Sequence, residues 1–123
     1  MKANINDIKF DLLIKLAGGD DDFIREMLSL FLEKAPSSLE ILEASIKNND
    51  LTSVANQAHK LKSSIQIIAD NELHLLIKKI EEDANKNGSK SELTKNIGQL
   101  NTQMITLFDA IKTRLSKTDK FTL

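Results

Sequence analysis

Apolar residues recur at intervals of three and four along most of the chain, the period of an amphipathic helix, and polar clusters divide the pattern into five segments. The first places Ile8, Leu12 and Leu16 four residues apart and stops at Gly18 and Gly19, where a backbone without Cβ can turn left-handed and close a helix. Asp20 then suits an N-cap, with Asp21 and Asp22 in a first turn whose backbone N–H groups favour negative charge. The second stripe runs Phe23, Met27, Phe31, Ala35, Leu39, Leu42 and Ile46. It keeps register through Pro36, which predicts one long helix kinked near the proline in preference to two helices. "KNND" at 47–50 closes it, and Asp50 can cap the third helix, with Leu51, Val54, Ala58, Leu61, Ile65 and Ile68 on one face. Asp70 and Asn71 mark a break. A fourth stripe, Leu73, Leu76, Ile77, Ile80 and Ala84, ends in "NKNGSKS", and a fifth runs Leu93, Ile97, Leu100, Met104, Leu107, Ile111 and Leu115.

Four long helices joined by short polar turns predict an all-α fold, an up-down-up-down antiparallel four-helix bundle with the short N-terminal helix covering one end. The whole of 1–123 reads as a single domain with its core over about 8–115. The segment 116–123, "SKTDKFTL", has no periodic partner and is expected to fray. Neither a repeat nor a linker interrupts the pattern.

Composition agrees with helix: there is one proline, and the only aromatic residues are five phenylalanines. A formal charge of −1 supplies no net field for nucleic acid or an anionic membrane, so a partner must be recognised locally. With no cysteine there is no disulfide framework and no thiolate metal site or nucleophile. The start "MKANINDIKF" lacks the apolar core of a signal peptide, and charge breaks every apolar run, so a cytoplasmic protein that spans no membrane is expected. A monomer is expected too, since no extra apolar stripe is left over.

Candidate chemistry concentrates in "AHKLKSSIQ", residues 58–66. At about 100° per residue, His59 falls roughly 125° from the centre of the third helix's apolar face and should meet solvent. Lys62 and Ser63 lie one turn on, to either side, and Gln66 two turns on. From the residues alone, an exposed histidine on a charged helix is most often plain surface. A metal site has less support: the two histidines, His59 and His74, sit on different predicted helices with no HxxxH or ExxH spacing. There is no GxSxG elbow for a Ser-His-Asp site and no glycine-rich phosphate loop, which also disfavours a kinase. His74, at the edge of its apolar stripe, reads as packing or surface.

The same stretch resembles the signature of histidine-containing phosphotransfer (HPt) domains, in which an exposed helix histidine is followed by leucine, lysine and a small residue. Here these are His59, Leu61, Lys62 and Ser63. Upstream, "LAGGDDDFIREMLSLFLEKAPSSLEILEASIKNND" is similar to the family's first-helix exit and second helix, and downstream "LIKKIEEDANKNG" is similar to its next helix, ending in an apolar residue plus Glu, here Ile80 and Glu81. The resemblance covers about residues 8–115. It departs from the pattern at Ser63 and Ala69, where glycine is usual.

That resemblance implies a phosphorelay carrier that is not a turnover enzyme. His59 would accept a phosphoryl group from the aspartyl-phosphate of a receiver domain and pass it to another receiver's aspartate. A neutral imidazole nitrogen is nucleophilic near pH 7, and the phosphoramidate it forms gives the group up again. Lys62 would neutralise phosphoryl charge, with Lys60 adding longer-range attraction. Ser63 would admit the partner's backbone, and Gln66 is a candidate hydrogen-bond donor. Glu81 would accept the proton of the other ring nitrogen, or else pair with Lys78 or Lys79 at the surface. The implied partners are response-regulator receiver domains, including those of hybrid histidine kinases. No cofactor is expected on this chain, the Mg²⁺ belonging to the receiver. The alternative is a module that binds a receiver or a helix without phosphate exchange.

Overall fold

A computed structural model describes residues 10–69 and 72–122. The elements are α1 (Asp11–Leu16), α2 (Asp21–Lys47), α3 (Leu51–Ile68), α4 (Glu72–Asn85) and α5 (Lys90–Leu115). The long helices pack in a closed ring, α2 on α3, α3 on α4, α4 on α5 and α5 back on α2, while α1 packs on α2 and α3. Three- and four-residue connections between packed neighbours require antiparallel runs. The cross-chain contacts agree: Arg25 near the start of α2 reaches the Leu115 carbonyl at the end of α5, and Glu43 near the end of α2 accepts from Asn101 in mid-α5.

Local chemistry accounts for the boundaries. Gly18 and Gly19 take φ of 63° and 77°, the left-handed backbone that side chains disfavour, and turn the chain out of α1. Asp20 then caps α2 by accepting the Phe23 N–H at 3.1 Å. Asp50 caps α3 through the Ser53 N–H and hydroxyl at 3.1 and 2.7 Å; these two bonds, the hydroxyl first, hold its carboxyl below the usual range. Helix α2 runs continuously through Pro36. Pro36 itself is exposed, on the side of the helix away from the core.

The buried faces of α3 and α5 contain the expected apolar residues, apart from half-buried Leu51 and Leu115 at their ends. Two expectations need correction. In α1 the buried residues are Leu13 and Ile14, while Leu12 and Leu16 are exposed; Ile8 lies outside the described residues. In the first turns of α2, Ile24 and Leu28 are fully buried, and Phe23 and Met27 lie at the surface. Both helices carry two adjacent apolar rows, and period alone does not choose between them. The third correction concerns the segment expected to fray. In the described part, 116–122, Phe121 is buried against the Phe10 ring at a centroid distance of 6.0 Å, while its neighbours in the segment are exposed. A single anchoring ring produces no periodic signal.

Candidate functional site

The middle of α3 faces α4, and the site forms where the two helices run side by side. Val54, Ala58, Leu61 and Ile65 take one face of α3 into the core, which turns His59 outward with 65% of its side chain exposed. On α4, Ile77, Ile80 and Ala84 are buried in the same way, and Glu81 stands on the flank nearest α3 with 14% of its side chain exposed. Glu81 thereby reaches across to two side chains. Its Oε2 lies 2.7 Å from His59 Nδ1, and its Oε1 accepts from Lys62 Nζ at 2.5 Å.

Burial alone would raise the Glu81 carboxyl, but hydrogen bonds from Lys62 and His59, together with their charge, bring it below the usual carboxylate range. Glu81 is therefore ionised at neutral pH. A carboxylate can only accept, so when the ring is neutral its one proton sits on Nδ1. In that form the lone pair is on Nε2, on a ring whose side chain is mostly exposed. The arrangement is a nucleophilic nitrogen held in one tautomer by a half-buried anion.

The other residues singled out from the sequence divide between two sides of His59. Lys62, one turn on from His59, is less open than the ring: only 23% of its side chain is exposed, and it leans onto Glu81. Ser63 is exposed, with its hydroxyl 3.4 Å from the His59 carbonyl one turn back. Gln66 is exposed further along the helix. Lys60 lies on the opposite side and rims a groove between α1, α2 and α3, whose floor includes Leu13, Met27, Phe31, Leu61 and Ile68. His74 is half-buried on α4. Met27 belongs to this groove; its place in an apolar stripe had marked it as core, and it is exposed there. Glu81 pairs with neither Lys78 nor Lys79, the alternative left open by the sequence.

Among the described residues, no group of three or more His, Cys, Asp and Glu side chains is placed to hold a metal ion. No helix among them is long and apolar enough to cross a membrane.

The Hpt domain family matches residues 26–113 of this chain. In structure the chain is similar to the HPT domain of an Hpt sensor hybrid histidine kinase from Shewanella, with a TM-score of 0.78 and 21% identity. That likeness covers 91% of this chain and 96% of the other, and at such identity it establishes the fold. No curated relative matches significantly.

Proposed function

The chain belongs to the Hpt domain family, whose members carry phosphoryl groups in phosphorelays, and from that premise we propose that Nε2 of His59 is the atom that carries the group. The observation that supports this most is the 2.7 Å contact between Glu81 and Nδ1, which in the neutral ring puts the proton on Nδ1 and the lone pair on Nε2.

The transfer step balances without moving a proton. The Nε2 lone pair attacks the phosphorus of a receiver's aspartyl-phosphate, the N–P bond forms as the bond from phosphorus to the aspartyl oxygen breaks, and the carboxylate leaves with the electron pair. Positive charge develops on the ring, whose Nδ1–H remains donated to Glu81. Glu81 thus stabilises the product and holds the ring in place. Attack by a second receiver's aspartate reverses the step. Neutralising the leaving carboxylate is the receiver's task, with the Mg²⁺ on that partner. Lys62, held on Glu81 beside the ring, supplies a cation for the incoming phosphoryl oxygens.

Because the aspartate must come within bonding distance of Nε2, the receiver covers the surface around His59. On the α2 side that surface is the apolar groove rimmed by Lys34 and Lys60, which suits a partner with apolar contacts bordered by acidic residues. Small Ser63 leaves the approach along α3 open. Receivers of hybrid histidine kinases are the natural donors and acceptors.

The test mixes the full chain with a phosphorylated receiver and follows acid-labile, base-stable label. Label reaches the wild type and is absent from His59→Gln. Label that persists in His59→Gln, or moves to His74, overturns the assignment. Receiver binding without label transfer would favour the phosphate-independent module.

A further inference from the structure

Residues 116–122 join elements that otherwise stand apart. Helix α1 packs on α2 and α3, α5 packs on α2 and α4, and among the described residues α1 and α5 make no direct helix-to-helix packing. The segment after α5 bridges them. Its Phe121 lies edge-on to Phe10 at the entry to α1, with the Arg114 guanidinium 3.8 Å and the Arg25 guanidinium 5.2 Å from its ring centroid. The Phe121 N–H donates to Asp21 Oδ1 at 2.9 Å, and Arg25 and Arg114 both donate to the Asp119 carbonyl, at 2.7 and 3.0 Å.

Helix α1 needs such support. Six residues are too few for a helix to stand by its own hydrogen bonds, so its position depends on what it packs against. Phe10, just before it, has φ of 58°, a left-handed backbone that a bulky residue holds only when its surroundings impose it. Ile14 borders the space beside Phe121. Leu13, adjacent to it in α1, lines the groove rimmed by Lys34 and Lys60.

We propose that residues 116–122 act as a strap that fixes α1 against the bundle and thereby sets the shape of the groove on which a receiver docks. This rests on the reading of that groove as part of the receiver's footprint. The strap is a positioning element: it touches neither His59 nor the transferred group, and it acts on partner affinity while the rate of transfer within the complex stays the same.

The Phe121→Ala chain tests this, with Arg114→Met as a milder variant should the first fold poorly and exposed Lys120→Ala as a control. The probe is a receiver domain to which the wild type transfers label. In both strap variants, amide exchange in 11–16 accelerates at least tenfold while exchange in α3 and α4 is unchanged. The receiver concentration for half-maximal transfer rises about three- to tenfold, and the saturating single-turnover rate stays within twofold. Unchanged exchange in α1 overturns the inference, and so does a loosened α1 with unchanged half-saturation. A wild type that takes no label on His59 is a separate result and counts against the phosphorelay reading, while the exchange measurement still decides whether the strap holds α1.

Discussion

Removing the Glu81 carboxylate should slow phosphoryl transfer while leaving the bundle folded. Glu81 accepts from His59 Nδ1 at 2.7 Å and from Lys62 at 2.5 Å. A hydrogen bond to a charged group contributes about 1.5–3 kcal/mol, against about 0.5–1.5 for a neutral pair. Glu81→Ala loses the whole bond to the ring, which corresponds to about 10–150-fold in rate if all of it is expressed as the ring becomes positive. With 65% of the His59 side chain exposed, water replaces part of it. The lower end, about tenfold, is therefore expected. Glu81→Gln keeps an acceptor oxygen and loses the charge, a difference of about 1 kcal/mol, or roughly fivefold. The assay is single-turnover transfer from a phosphorylated receiver at saturating concentration, with a thermal melt beside each variant. Rates graded wild type, Gln, Ala, with melts within a few degrees of one another, support the reasoning. Wild-type rates in both variants would refute it, because the ring would then need no anion at Nδ1.

Two further outcomes follow from the same contacts. Lys62→Met should slow transfer by several-fold and move the melt only slightly, since the residue's neutralising charge is lost while its stem is replaced; a collapse of stability, read by circular dichroism, would make Lys62 a structural residue. Acid should lower the stability of the fold. The folded-state carboxyls of Glu81 and Asp21 lie below their ordinary values of 4.5 and 3.8, the first despite burial and through Lys62 and His59, the second through Arg25 and the Phe121 N–H. The unfolded chain therefore binds more protons in that range, so the stability these groups contribute is complete above the ordinary values and is lost as pH falls through the folded ones. Melting temperature followed downward from pH 5 should drop, and Glu81→Gln should remove its share of the slope.

Much of this was legible in the sequence because its signals are periodic or local. The α3 and α5 stripes predict their buried faces, and Asp20, Asp50 and the Gly18–Gly19 turn announce their helix boundaries. The outward turn of His59 follows from Ala58 and Leu61 facing in. Where two apolar rows lie side by side, as with Phe23 and Met27 beside Ile24 and Leu28, the buried row depends on which neighbours reach it. Phe121 is a single ring whose burial depends on Phe10, Arg25 and Arg114, residues up to 111 positions away (121 − 10). The pairing of Lys62 with Glu81 is a choice made between helices. A wheel drawn for one helix cannot express it, although the resemblance to the family had already pointed to Glu81 and His59 as neighbours.

The central claim concerns one nitrogen. On the proposed reading Glu81 holds the proton on Nδ1 of the neutral ring, which puts the phosphoryl group on Nε2. Long-range ¹H–¹⁵N correlation on the phosphorylated, ¹⁵N-labelled chain distinguishes the two ring nitrogens directly. The account predicts phosphorus coupling at Nε2 of His59, with Nδ1 still bearing its proton. Phosphorus on Nδ1, or on His74, would contradict it.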